Sequence, residues 1–372
     1  MKTEYDAIIV GARVAGSITA ALLGAYGQRV LLLDRAHFPS DTLSTHFFRA
    51  PALKAFQRAG VFEQVQSASP HMAETFNDIE GHTWSDPVEG EDGLDYLLCV
   101  RRITLDGILT QQVQKEANVE FHQGARFTDL IRKNGRAIGA RWRENTGECE
   151  ATARAIIGAD GFYSRLAELV EPEVEQSEPV RRAMYYTYFE GLAAREKPAA
   201  EFYFRGNHLV YVFSTDGDLT LVAISVPISE FEQYRKDPKR EMVSMLEALP
   251  ALGPRVRAAE IVAPVKGAGN IPCYQRVPYG DGWALVGDSG QVFDPWSGQG
   301  IDHASQHAVM LADALHGFLG EKNDWQSAMS TYHALRNSSS KRNFESTRKF
   351  ARDLRLLSHG ALKKRGLKAP PH

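Results

Sequence analysis

Residues 5–35, YDAIIVGARVAGSITAALLGAYGQRVLLLDR, constrain the fold more than any other stretch. DAIIV is an unbroken apolar run, which suits a strand buried on both faces. A glycine turn follows, then an alanine- and leucine-rich segment from about Ala15 to Ala25 that predicts a helix. Gly27 can end that helix, and RVLLLD reads as a second buried strand. Strand, turn, helix and parallel strand form a βαβ unit with a right-handed crossover. In its G-x-G-x-x-G form the turn of such a unit holds a dinucleotide pyrophosphate. Here the turn is Gly11-Ala12-Arg13-Val14-Ala15-Gly16, so the outer glycines are present and arginine replaces the middle one. With a negative φ at Arg13 and its side chain turned outward, the surrounding amides still face a phosphate, and the guanidinium is placed to pair with the pyrophosphate. Asp34 closes the second strand near the spacing at which a carboxylate meets ribose hydroxyls and repels a 2′-phosphate. The unit therefore reads as one for FAD or NAD rather than NADP.

The rest of the chain continues this plan and interrupts it once. Residues 43–60 read as helical after Pro51, and RRITLDGILTQQVQKEA as a helix with Ile103, Ile108, Leu109 and Val113 near one face. Asn134-Gly135 and Asn145 to Gly147 then predict a small antiparallel meander, because such turns need residues that accept positive φ. Between Tyr185 and Pro227 the character changes. YYTYFEG, AEFYFRG, HLVYVFS and DLTLVAISVP are rich in aromatic and β-branched residues and read as an antiparallel sheet inserted between two halves of a parallel one. WALVGDSGQVFDPWSGQGIDHASQHAVMLADALHGFL returns to strand, glycine loop and long helix. The basic C-terminal stretch carries Phe350, Leu354, Leu357 and Ala361 at helical spacing, which predicts a helix docked by that stripe with its charges solvated. The closing LKAPPH reads as a disordered tail.

A chain of 372 residues is long enough for two domains, or for one large domain with an insertion. Its formal charge of −3 gives no cause to expect a nucleic-acid partner. Cys99, Cys149 and Cys273 leave one unpaired and lack metal-ligand spacing, which points to a reducing compartment and no bound metal. Glu4 and Asp6 sit where a signal peptide needs an apolar core, and no apolar run approaches the roughly 18 residues of a membrane span. The expectation is a cytoplasmic protein that acts on a small molecule.

Two further stations follow the Gly11 loop at strand ends. They are GADG, Gly158 to Gly161, and GDSG, Gly287 to Gly290, the latter leading into DPWSGQGID. In this set and order the chain resembles the FAD-dependent oxidoreductases that include aromatic-hydroxylase-type flavoprotein monooxygenases and the geranylgeranyl-reductase type, over Tyr5 to Leu319. The resemblance implies an α/β fold. A Rossmann-like FAD-binding domain would comprise residues 1–175 and 265–330, an inserted antiparallel β-sheet substrate domain residues 176–264, and a C-terminal helical segment residues 331–372. It further implies that Gly11, Ala12, Arg13, Val14, Ala15 and Gly16 hold the pyrophosphate, that Asp34 with Arg35 beside it meets the ribose, and that Arg102 touches FAD. Asp160 and Gly161 would lie near the flavin and a transient nicotinamide, and Gly287 and Asp288 would hold the ribityl and phosphate part. Gly298, Gln299, Gly300 and Ile301 would bring the flavin ring to the amides of a helix N-terminus. The chain departs from the family at Arg165 and Ala167, which displace the arginine of the D-G-x-x-S-x-x-R pattern. It departs again at Asp302, which replaces an asparagine, and at His307, which replaces an acid.

For activity, the resemblance implies FAD with NADH or NADPH as a transient reductant, because no second G-x-G-x-x-G loop is present. The leading expectation is a monooxygenase that hydroxylates or epoxidises an apolar or aromatic small molecule through a flavin C4a-hydroperoxide. Pro295 would sit at the flavin edge, and His46, in SDTLSTHFF, would act as a base near neutral pH. Tyr185, Tyr211 and Phe213 would line the substrate pocket, although strand aromatics equally suit plain core. Two alternatives stay open: a reductase of carbon-carbon double bonds, with Leu209 to Ile224 resembling the reductases' Y-x-W-x-F-P strand, and a non-catalytic flavin-binding sensor. The W-x-W-x-I-P signature of the halogenase branch is absent.

Overall fold

The computed structural model describes residues 4–90 and 92–369. Its nucleotide-type sheet is built on five parallel strands in the order Trp283–Leu285, Gly147–Gly158, Tyr5–Val10, Val30–Asp34 and Val119–Gln123, with Tyr279–Gly280 antiparallel at one edge. Ala7, Ile8, Ile9 and Leu31 to Leu33 are almost wholly buried, as strands covered on both faces require. One face packs against the helices Val14–Ala25 and Gly300–Leu319, and the other against the meander Arg126–Lys133, Arg136–Glu144 and Gly147–Gly158. Both predicted hairpins are present, with Asn134 and Gly135 at positive φ.

The inserted sheet is larger than the aromatic run suggests. Its order is Glu260–Ile261, Arg182–Glu190, Leu219–Pro227, His208–Ser214, Ala199–Arg205, Glu74–Ile79 and His82–Pro87, with Lys266–Ala268 also pairing to Arg182–Glu190. The last two strands of the main path come from a hairpin that ends 89 residues before residues 176–264 begin, and Glu74–Ile79 runs parallel to Ala199–Arg205. That hairpin, HTWSDP above all, carries little of the aromatic and β-branched signature, so composition did not mark it.

Period-two alternation splits the strand aromatics between two faces. Tyr185, Phe189 and Tyr203 turn outward under the short helices Phe231–Lys236, Pro238–Glu247 and Gly253–Arg257. Tyr186, Tyr188, Tyr211 and Phe213 turn inward, in a cluster with Phe47, Leu354 and Leu362. The C-terminal helices are Trp325–Arg352 and Arg355–Lys364, so the helical segment begins before residue 331. Phe350, Leu354, Leu357 and Ala361 do pack as one stripe against the inner face. Residues 367–369 of the expected tail are irregular, and its last three lie outside the described residues.

No helix among the described residues is long and apolar enough to cross a membrane. Glycine is used where backbones touch. A Cβ on Gly16 would overlap the Gly11 carbonyl oxygen, whereas one on Gly360, exposed within Arg355–Lys364, would meet nothing within 4 Å. Gly16→Ala should therefore destabilise the protein by about 3 kcal/mol or more. Gly360→Ala should stabilise it by about 0.5–1 kcal/mol, both read from denaturant midpoints.

Candidate active site

The three glycine stations meet at the carboxyl ends of adjacent parallel strands. Gly11, at φ 102°, lies so close to Ala159 that an added Cβ would overlap its carbonyl oxygen and come within 3.0 Å of the Asp160 Cα. An added Cβ on Gly16 would stand 3.2 Å from the Ala159 Cβ, and one on Gly287, at φ 66°, 3.0 Å from the Ala15 Cβ. The Ser289 hydroxyl ties the second station to the third by donating to Gly158 O at 2.6 Å. Ordinary side chains at Gly11, Gly16 or Gly287 would push these loops apart.

Arg13 has φ −86°, so its position does not need glycine's freedom. Its amide and the next ones open the helix Val14–Ala25, whose first N–H groups have no acceptor within the helix. The guanidinium does not point at the phosphate side of the loop. It pairs with the buried Asp106 and donates to Ser40 O at 3.3 Å, Ser40 Oγ at 3.0 Å and Asp41 O at 3.2 Å. In this structure its partners are all protein groups. Arg102 forks onto the same carboxylate at 2.9–3.1 Å, the i,i+4 spacing of a helix opening. Asp106 was missed from the sequence, although an arginine four residues before an aspartate on a predicted helix was its signal.

Asp34 is buried and accepts the Ala12 amide at 2.7 Å through one oxygen and the Ala36 amide at 2.8 Å through the other. Each oxygen keeps a second lone pair for a ribose hydroxyl. Arg35 is exposed beyond it. Asp160 accepts Ser164 Oγ at 2.5 Å and the Leu166 amide at 3.2 Å, so it secures the start of Arg165–Val170, and Gly161 beside it faces open space. Asp288 differs. No group among the described residues donates to its carboxylate, and burial pushes the carboxyl up to about 6 against the pull of the Arg102 charge. Half-buried and free of protein donors, its carboxylate is open to a ligand that brings its own hydroxyls.

Downstream, Asp294 accepts the Trp296 amide at 3.2 Å and holds the short turn Pro295–Ser297. Gly298 follows at φ 60°, and Gly300, exposed and with nothing within 4 Å of an added Cβ, opens the helix Gly300–Leu319. The Gln299 side chain lies 3.2 Å from His303 Nε2, and the Ile301 side chain is core. Residues 45–49 run alongside: Thr45 and Phe47 come within 3.9 and 3.4 Å of an added Cβ on Gly298, and Phe47 stacks on Phe213 at 4.6 Å. Arg49, also missed, pairs with Asp302 at 2.9 Å and donates to the Ser297 and Gly298 carbonyls at 3.3 Å. Tyr211 donates to the Trp296 carbonyl.

His46 lies between these neighbours but turns the other way. Its ring is wholly buried beside Tyr186 and Tyr188, with Nε2 2.6 Å from the Tyr188 hydroxyl, and burial together with the Arg102 charge lowers its pKa to about 3. A general base needs a reachable lone pair and a pKa near the working pH. His46 is buried with Nε2 held by Tyr188 and Nδ1 without a partner, so in this conformation it is not poised as a base. Tyr185 faces away from the other two expected pocket residues, bonded to Phe231 O at 3.3 Å and stacked near Tyr234. Tyr186 and Tyr188 take its place beside Tyr211 and Phe213.

A family model described as an FAD binding domain matches residues 4–347. The chain belongs to this family. It is 22% identical over 355 residues, 90% of this chain and 82% of the relative, to a 1H-pyrrole-2-carbonyl-[peptidyl-carrier protein] brominase of Pseudoalteromonas luteoviolacea. It is 25% identical over 322 residues, 82% of this chain and 73% of the relative, to digeranylgeranylglycerophospholipid reductase 2 of Methanococcoides burtonii. In fold it is similar to pqsL, a probable FAD-dependent monooxygenase from Pseudomonas aeruginosa, with TM-score 0.81 and 21% identity over 93% of this chain and 95% of that one. FAD is the cofactor, and the chain is an oxidoreductase. The residues present fit FAD: the touching glycine loops, the donor-less Asp288 and the open helix start at Gly300 form one continuous margin.

A carboxyl whose pKa is higher folded than unfolded binds its proton more tightly when folded. It therefore costs stability as pH rises from the ordinary 3.8 to about 6. In the FAD-free protein Asp288→Asn should raise unfolding free energy by about 1–3 kcal/mol at pH 7 and leave it unchanged below pH 3.5. The same substitution should weaken FAD binding about tenfold by removing a charged acceptor, whereas Asp160→Asn should change it less than threefold. Urea titrations at the two pH values and flavin titration check both.

Proposed function

We propose that the protein is an NAD(P)H-dependent monooxygenase that hydroxylates or epoxidises an apolar or aromatic small molecule. In net terms, substrate, O₂, NAD(P)H and a proton give oxygenated substrate, NAD(P)⁺ and water. The observation that carries the reading is the apolar wall of Tyr211, Phe213 and Phe47, set directly against the Pro295–Gly298 turn at the start of Gly300–Leu319. FAD supplies the redox chemistry and the activation of oxygen when bound. The chain's own residues do the rest. The loop amides and Asp34 would seat the adenosine end, Asp288 would accept ribityl hydroxyls, and the first amides of Gly300–Leu319 would offer donors and the positive end of a helix dipole to the ring. The buried aromatic cluster keeps water from that side of the turn and makes the surroundings of the reacting centre apolar.

Reduction of a carbon-carbon double bond is the second reading, supported by the resemblance to an archaeal lipid reductase. The brominase relative raises halogenation, against which stands the missing W-x-W-x-I-P signature. One experiment separates the three. The FAD-loaded protein is given NADH or NADPH with panels of phenols, indoles and polyenes, in air, without oxygen, and in air with bromide. Substrate-stimulated NAD(P)H oxidation with incorporation of label from ¹⁸O₂ is the expected result. Saturation of a polyene under anaerobic conditions, or a brominated product, would overturn it.

A further inference from the structure

Arg13 stands where the dinucleotide loop ordinarily has a glycine, yet nothing about the backbone there calls for arginine. The side chain makes the difference. It leaves the first position before the helix Val14–Ala25 and reaches across to residues 40 and 41, with Asp106 as its anchor on the way. Its guanidinium carbon also lies 5.6 Å from the centre of the Phe38 ring.

Asp106 has no exposed surface and needs a cation, but Arg102 already supplies one, with two nitrogens spread over both oxygens. Arg13 is therefore surplus to the neutralisation of that carboxylate. What it adds is the span from the nucleotide loop to the segment 40–49. That segment is held at three further points: Asp41 pairs with Lys266 at the edge of the second sheet, Phe47 stacks on Phe213, and Arg49 binds the Ser297 and Gly298 carbonyls. Residues 40–49 thus form a strap from the nucleotide loop along the inner face of the aromatic sheet to the Gly298 turn, with an arginine near each end.

We propose that Arg13 is a positioning residue that couples occupancy of the dinucleotide loop to the placement of residues 40–49 along the substrate wall. A ligand seated on the amides that open Val14–Ala25 fixes the backbone of Arg13, and the guanidinium fork, gripping Asp106 on one side and Ser40 on the other, transmits that fixation as a strut. The inference rests on FAD binding and not on the monooxygenase reading, so it stands whichever reaction the protein performs.

The test compares hydrogen–deuterium exchange of peptides covering residues 40–49 with and without FAD in wild type, Arg13→Gly and Ser40→Ala, alongside the flavin-to-protein ratio of each. In wild type, FAD should slow exchange of 40–49 by at least about tenfold. Arg13→Gly restores the glycine loop, so it should keep FAD within about twofold of wild type while FAD loses its effect on 40–49, with Val14–Ala25 still protected. Ser40→Ala, which leaves the Arg13–Asp106 pair intact, should reproduce part of this, a loss of about threefold. It serves as the test if the glycine variant fails to fold. Loss of FAD from Arg13→Gly with full protection of 40–49 in Ser40→Ala would overturn the proposal by making Arg13 a cofactor ligand. Equal protection by FAD in all three proteins would overturn it by making the tether incidental.

Discussion

The structure depends on a close approach of bare backbone where three parallel strands end. Gly11 lies against Ala159, Gly16 against Gly11, and Gly287 against Ala15, at separations that leave no room for a Cβ without displacement. This contact brings a loop near the N-terminus, one near residue 160 and one near residue 290 into a single margin. Everything chemically distinctive hangs from it. Asp34 is fixed by the Ala12 amide, Asp288 projects beside Arg102, and Gly300–Leu319 begins with its amides open. Such an edge can recognise a long ligand along its length because backbone donors, which cannot swing away, do most of the recognising.

Three aspartates at this margin show how environment assigns work to identical side chains. Asp160 has internal donors and secures a helix start. Asp106 has two guanidinium partners and secures loops. Asp288, half-buried, has no protein donor on its carboxylate among the described residues, and burial raises its pKa. Of the three, Asp288 alone keeps its carboxylate free of protein donors and so open to a ligand's hydroxyls.

The parallel sheet, both hairpins and the glycine loops were legible because each rests on a local rule: unbroken apolar strands, Asn-Gly turns and glycine at positive φ. The site's second half was not. Whether Tyr185 or Tyr186 joins the inner cluster depends on strand phase, and a one-residue shift exchanges the faces; both residues look alike in YYTYFEG. His46 stood in a suggestive polar loop, but its φ of 58° and its burial against Tyr188 are long-range outcomes. Arg49 and Asp302 lie 253 residues apart and announce themselves only once folded. The hairpin Glu74–Ile79 and His82–Pro87 escaped notice because it completes a sheet whose other strands had not yet appeared in the sequence.

That hairpin bears on how the two halves of the molecule can be separated. The aromatic sheet is an interleaving, not an insertion at one point: the chain leaves the nucleotide sheet once before Glu74, returns for Val119–Gln123 and Gly147–Gly158, and leaves again. Cutting out residues 176–264 would strip Ala199–Arg205 of its neighbour and expose a run of unpaired amides and carbonyls, an edge prone to pair with another copy of itself. The substrate-facing half therefore cannot be exchanged for another by swapping one contiguous piece. It is finished by a ribbon threaded between elements of the nucleotide half, so any recombination that preserves its closed edge must carry part of that half with it.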